Sequence, residues 1–454
     1  MTVAAVLDRV ERRAGLRVFA SGLGRHWPIL ALILCAMAAA GVARFVFGYP
    51  AYLGGNDEVY WAQIVAARAH GFYYPISGAL FVWLNEMLSL RLGWPADVAI
   101  SVLGWVSIPF VVWLNYFVYR RWQGDGAQAI LLALATTAYF WAPLLESKPQ
   151  QWGQPLALLG AYLFFACAQG RLSWVWLLGC ASLLAWTHNL SFVILLALCA
   201  WSWLVLWTRD RASISDGICA ALALAPGMAL MAWPSGPYGI SVQAVWLEHI
   251  HDHGAVLSVV AVVGLAALVS LVLVRRLAKR VTALRSDPLA HLAAALSSRW
   301  AMLVALVVPA CLIAQALLLP DGYWQIYGNS APRFLLAQSG NLLFLSLTLH
   351  GGWLACRHCA EGRLSVPLQE ALILLLGAAA LCLAGLGATV WMMDNNWFLR
   401  IALYAVAFAA PLAAYSLAQL TGRFQLVARV AIVLAAAISL LWTLRWCGLV
   451  ECAL

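Results

Sequence analysis

Read for hydropathy alone, the chain is a series of continuous apolar runs, about 17 to 22 residues each, separated by short polar breaks. A helix of that length crosses the hydrocarbon layer of a bilayer. The runs do not alternate apolar with polar residues, so they do not read as strands of a spanning β-barrel. They predict spans at 27–48, 98–118, 128–144, 154–170, 173–187, 190–207, 216–233, 254–274, 300–319, 341–356, 370–390, 400–419 and 429–446. The pair 173–187 and 190–207 rests on one polar interruption, Thr187-His188-Asn189. The expected fold is an all-α polytopic membrane protein of about thirteen spans, one integrated bundle.

Composition strengthens this reading. The 454 residues are 64% hydrophobic and 10% charged. A soluble domain carries about 25% charged residues, so this chain cannot coat an ordinary water-facing surface. Many of its 24 Trp fall near span ends, such as Trp27, Trp94, Trp246 and Trp300, as an interfacial belt or as packing between helices. Most of the 11 Cys lie within apolar runs and read as small core residues. Cys447 and Cys452 follow the last span and could pair if that end is extracytoplasmic.

Charge orients the bundle. With the N-terminus in the cytoplasm, 20 of the 27 Lys and Arg fall on the inner side, which fits the positive-inside rule. The net charge of +9 is therefore spread over many short inner loops, and nucleic-acid binding is excluded as a partner class. Residues 1–26 form a cytoplasmic interfacial segment, with Val3, Val6, Leu7, Val10 and Ala14 on one helical face and arginines on the other. A signal peptide cleaved near AMAAAGVA is the rival, but the leading polar region is too long for one.

Acids sort the other way, with ten of 18 on the outer face. The largest outer loop, 49–97, carries GGNDEVYW with the adjacent pair Asp57 and Glu58. It is too apolar to be a solvated loop. Leu80, Leu84, Met87 and Leu88 fit one helical stripe and Val59, Ala62, Ala66 and Ala69 another, so two surface helices joined at Tyr73-Tyr74-Pro75 are expected. The second outer loop, LLESKPQQWGQP, holds Glu146 and Lys148. No repeat period is visible.

Ionisable groups at a membrane edge are costly, and function is their default reading. A carboxylate there can act as a general base, while Arg and Lys bind phosphate. The candidates are Asp57, Glu58 and Glu146 for catalysis, and Lys148, Arg333 and Arg400 for phosphate. Tyr60 and Tyr74 are candidates for lining a sugar site. Each has a structural rival: Asp57 and Glu58 suit a helix N-terminus, Glu146 and Lys148 a local ion pair, Arg400 a snorkelling side chain, and the tyrosines an aromatic belt.

The order of these features carries a resemblance: apolar span, acidic pair, interfacial helices, an acid and a Lys-Pro in the second loop, then the interrupted LLAWTHNLSFVILLAL. The chain resembles the GT-C superfamily of integral-membrane glycosyltransferases, which use polyprenyl-phosphate sugars. Within it the likeness is to the branch holding the lipid A aminoarabinose transferase and the protein O-mannosyltransferases. It is clearest over 27–207, the expected catalytic core, and weaker at NNWFLRIALYAVAFAAPLAAYSLAQL within the remaining region, 208–454. By position the resemblance implies Asp57 as catalytic acid, with Glu58 beside it and Glu146 as the second-loop acid. It makes Lys148 and Arg400 phosphate contacts. It implies inverting sugar transfer from a polyprenyl-phosphate donor to an acceptor at the periplasmic face of a bacterial inner membrane. The chain ends soon after its last span without a soluble domain, which points to a lipid or glycan acceptor.

The stretch Glu248-His249-Ile250-His251-Asp252-His253 supplies i, i+4 pairs at metal-ligand spacing, so a divalent metal is the one cofactor candidate. Two other functions remain open. A transporter or lipid-sugar flippase would bury charge at mid-membrane and often repeats its halves. An O-antigen polymerase or ligase would carry its arginines in late, large outer loops.

Overall fold

A computed structural model describes residues 26–42, 45, 79–145, 149–232, 234–235, 240–241, 330–392, 396–420 and 423–449. Its helices are α1 (His26–Gly41), α2 (Ala79–Leu92), α3 (Ala96–Gln123), α4 (Ala127–Leu134), α5 (Ala138–Leu145), α6 (Gln150–Ala168), α7 (Trp174–Thr187), α8 (Asn189–Thr208), α9 (Ile214–Ala232), α10 (Ala331–Ala360), α11 (Val366–Met392), α12 (Asn396–Gln419) and α13 (Arg423–Leu449). Besides these, Pro234–Ser235 pairs antiparallel with Ile240–Ser241. Six helical stretches among the described residues are long and apolar enough to cross a membrane. The fold is an all-α polytopic membrane bundle.

Helix α12 lies at its centre and packs on α4, α5, α6, α8, α10 and α11. Small residues allow the approach: a Cβ on Gly351 of α10 would overlap the backbone carbonyl of Leu412. Tyr119 of α3 donates to Ala407 O across 2.8 Å. Peripheral helices instead expose apolar stripes. On α3 these are Val106, Phe110, Trp113 and Phe117, and on α9 Ile214, Ile218 and Leu222, at helical spacing. Such faces suit lipid rather than water.

At one end of the bundle the chain reverses three times by the same turn. QGRLS (169–173), RDRAS (209–213) and EGRLS (361–365) each place one residue at positive φ: Gly170, Asp210 and Gly362. The following arginine N–H returns five residues back, from Arg171 to Ala166 O, Arg211 to Leu206 O and Arg363 to His358 O. This is a Schellman closure. Ser173 then caps α7 and Ser213 caps α9, the latter reciprocally with Asp216. The recurrence is a local turn without a fixed period, so a search for sequence repeats passes over it.

Buried Glu370 ties these basic turns together. It accepts from Trp122 Nε1 at 2.6 Å and from Gln169 Nε2. Next to it, Gln369 Oε1 accepts from Arg209 at 3.1 Å and Arg211 at 2.8 Å. The ends of α3, α6, α8 and α11 are thus joined by one paired polar knot.

The expected single span 128–144 is broken. α4 stops at Leu134 and α5 starts at Ala138. Thr136 and Thr137 turn their hydroxyls onto the Ala133 and Leu134 carbonyls, competing with helix continuation. The freed groups are met from other helices: Ala138 N–H by Asn341 Oδ1 at 3.0 Å, and Thr136 O by Ser439 Oγ at 2.5 Å.

Glu370→Ala leaves the Trp122 indole and the Gln169 amide without their acceptor. Each unmet group costs about 1–3 kcal/mol. The thermal midpoint of the detergent-solubilised protein should fall by several degrees; an unchanged midpoint would remove the knot from the account.

Candidate functional site

The opposite end of the bundle is polar in its interior. The run 173–207 divides there as expected. His188 takes an extended conformation (φ −160°, ψ 114°) between α7 and α8. Its Nδ1 accepts from Ser191 N–H at 3.3 Å and lies 2.7 Å from Ser191 Oγ. Tyr404 OH completes the group, 2.5 Å from Ser191 Oγ and 3.1 Å from His188 Nδ1. Polar residues cap helices well and extend them poorly, which is why the break falls here. Gly153 lets α6 come close, since a Cβ there would overlap Ser191 Oγ.

The first turns of α6 bind the neighbouring helix ends. Gln151 Nε2 donates to Gly104 O at 2.9 Å and Leu144 O at 3.2 Å, and Gln154 Nε2 donates to Leu403 O at 2.6 Å. Ends of α3, α5, α6, α7, α8 and α12 therefore meet in one place. Aromatic pairs bring in α2: Phe81 against Trp152 at 6.1 Å, and Trp83 against Trp186 at 6.0 Å.

Helix α2 forms in the described part of the first outer loop, as expected. Its 14 residues span about 21 Å, too short to cross. The apolar stripe Leu80, Leu84, Met87 and Leu88 is only half-buried. The buried face is Phe81, Val82, Asn85, Glu86 and Ser89. A helix that turns its polar side inward has an interior reason for it. Asn85 Oδ1 and Glu86 Oε2 are both buried without a hydrogen-bond partner. Burial raises the Glu86 carboxyl above its ordinary value.

Most sequence candidates lie outside the described residues: Asp57, Glu58, Tyr60, Tyr74, Glu146, Lys148, Glu248, His249, His251, Asp252 and His253. Glu146 and Lys148 fall between Leu145 and Pro149, whose helices Gln151 joins. Arg333 is exposed in the first turn of α10. Arg400 is the fifth residue of α12, one turn before Tyr404; its side chain is outside the described set, as are those of Cys447 and Cys452. Sequence reasoning missed Glu86, Gln151, Gln154, Ser191 and Tyr404 as a group. The available signal was an acid flanked by Asn85 and Ser89 in an otherwise apolar helix.

In sequence, the chain matches no protein-family model and no curated protein. In fold, it is similar to solved membrane-protein structures. In particular it is similar to crystal structures of the Archaeoglobus fulgidus oligosaccharyltransferase. Against the apo form the TM-score is 0.51 at 15% identity, covering 91% of this chain and 56% of that one. Against the complex with zinc and sulfate it is 0.52 at 16% identity, covering 90% and 53%. Against the form tethered to an acceptor peptide with the NVT sequon it is 0.52 at 15%, covering 92% and 56%. The chain spans about half the length of those structures.

A carboxyl raised by burial holds its proton more tightly folded than unfolded. It therefore costs no stability below its ordinary value of 4.5 and an increasing amount as pH rises above it. Glu86→Gln should match the parent's thermal midpoint near pH 4 and exceed it by a few degrees at pH 7. A variant less stable at pH 7 would show Glu86 to be paired.

Proposed function

We propose that the chain transfers a sugar from a polyprenyl-phosphate-linked donor to a lipid or glycan acceptor. The reaction is set at the periplasmic face of a bacterial inner membrane, with the N-terminus in the cytoplasm and the basic turns on the inner side. The observation that supports it most is the oligosaccharyltransferase-like fold over about nine tenths of the chain. The polar bundle end adds to it, because the segments bearing Asp57, Glu146 and Lys148 adjoin that end in sequence and Arg400 lies in the second turn of α12 there.

In this reading Asp57, with Glu58 beside it, takes the proton of an acceptor hydroxyl. That oxygen attacks the anomeric carbon from the face opposite the phosphate, through an oxocarbenium-like transition state. The anomeric carbon–oxygen bond breaks, polyprenyl phosphate leaves with the electron pair, and the configuration inverts. Lys148 and Arg400, with Arg333 as a further cation, stabilise the charge growing on the phosphate. Glu146 orients the acceptor, and Tyr60 and Tyr74 line the sugar. The polar contacts of Gln151, Gln154, Ser191 and Tyr404 hold the ends of α3, α5, α6, α8 and α12 together.

One structural neighbour is a complex with zinc and sulfate. Its sulfate supports an anion site in this fold. For a metal, the candidate ligands here are Glu248, His249, His251, Asp252 and His253, with Glu146 as a further acid. No group of three His, Cys, Asp or Glu converges among the described residues, so no step is assigned to a metal.

The test is mass spectrometry of cell lipids and glycans with and without the chain, and with Asp57→Asn. A sugar-modified product should appear with the parent chain and fall at least 10²-fold with the variant, the lower range for a general base. A fully active variant would refute the assignment, and accumulation of an unmodified sugar across the membrane would favour a transporter.

A further inference from the structure

The arginines at the basic end fall into two sets. Arg120 pairs with Asp125, and Arg357 and Arg363 share Glu361. Arg121, Arg171, Arg211 and Arg429 are exposed and form no ion pair among the described residues. The partners seen for this second set are neutral or aromatic. Arg211 donates to the Gln369 amide oxygen at 2.8 Å, which uses one of its five N–H groups. Arg121 lies 5.3 Å over the Phe117 ring. Its guanidinium is thus folded one turn back along α3, toward the exposed apolar stripe rather than the water beyond the helix end.

The second set also stands where the bundle turns apolar side chains outward. Arg121 and Arg211 adjoin the exposed stripes of α3 and α9. Arg171 is followed on α7 by Val175 and Trp176, 69% and 63% exposed. Arg429 is flanked on α13 by exposed Val430 and Val433. Tryptophan marks the depth: Trp176 lies one turn beyond Arg171, and Trp203 Nε1 donates to Ser213 O at 3.1 Å, two residues past Arg211. Tryptophan gathers where hydrocarbon meets lipid headgroups. These arginines therefore stand at headgroup level, with the apolar stripes on the hydrocarbon side.

A partner for this surface must be anionic at one level and apolar at the next. A soluble anion answers the arginines and leaves the stripes in water. A neutral lipid covers the stripes and leaves the cations unmatched. We propose that Arg121, Arg171, Arg211 and Arg429 select anionic phospholipids, whose phosphates accept from the guanidinium groups while the acyl chains lie along the stripes of α3, α7, α9 and α13. The surface is separate from the proposed transfer chemistry and does not depend on it.

The test is native mass spectrometry of the full chain, delipidated in a neutral detergent and given equal phosphatidylglycerol and phosphatidylcholine. The parent should retain phosphatidylglycerol over phosphatidylcholine by about tenfold, the order expected of several surface cations toward anionic lipid. Changing Arg121, Arg171, Arg211 and Arg429 together to Gln should reduce that preference to about twofold or less. Changing the paired Arg120, Arg357 and Arg363 to Gln takes a similar charge from the same end and should keep the preference. Ile214→Glu, exposed beside Arg211, repels a phosphate without disturbing the packed interior. It should lower the preference too, which keeps the proposal testable if the fourfold variant fails to fold. Equal retention of the two lipids by the parent overturns the proposal. So does an equal loss in the paired and unpaired sets, which would mean diffuse charge. Displacement of phosphatidylglycerol by excess inorganic phosphate would show a free-anion site and overturn it, as would a lipid-free dimer that Ile214→Glu splits, which would give the face to a second copy of the chain.

Discussion

Lipid offers no hydrogen bonds, so polar groups within the bundle must be met by protein or by a ligand. That constraint orders this structure. At the basic end Glu370 is held by Trp122 and Gln169, and Gln369 by Arg209 and Arg211. At the α4–α5 break, Asn341 and Ser439 supply what the interrupted helix has lost. At the other end it is satisfied for His188, Ser191, Tyr404 and Gln154 and unmet at Asn85, Glu86 and Trp152. One end is tied through Glu370 and Gln369, and the other through Ser191, Tyr404 and Gln154.

The contrast also explains the division of labour along the helices. α12 runs from the polar end, where Arg400, Leu403 O and Tyr404 lie, to the basic end beyond Gln419. Its contacts with surrounding helices fix its rotation. A catalytic group on such a helix is preorganised by the core beneath it. The outer helices α9 and α13 have a smaller task and present apolar stripes to lipid.

Long-range organisation was legible because lipid imposes length. The apolar runs at 98–118, 216–233, 370–390 and 400–419 each became a helix whose bounds lie within a few residues of the run. The interruption at Thr187-His188-Asn189 was also readable, because a His between Thr and Asn interrupts a Leu-rich run. The break at Thr136-Thr137 was not: threonine counts as nearly neutral in hydropathy, and only Asn341 and Ser439, about 200 and 300 positions later, make the interruption affordable. The inward polar face of α2 was missed for a related reason. Its leucines have helical spacing, and spacing reports a face without saying which face is buried. The three shared turns escaped notice because their common feature is a backbone conformation that either Gly or Asp can adopt. Of the candidate site, the acids and cations could be named from position, whereas the side chains supporting them could be found only in space.

The account's central claim is that first- and second-loop carboxylates and the cations at 148 and 400 share one pocket at the polar end of the bundle. The most direct measurement is a cryo-electron-microscopy map of the chain in nanodiscs with a polyprenyl phosphate bound. The account predicts the phosphate in hydrogen-bonding reach of Lys148 or Arg400, with Asp57 and Glu146 facing the same cavity. A phosphate bound elsewhere, or Asp57 turned to bulk water with those three residues dispersed, would contradict it.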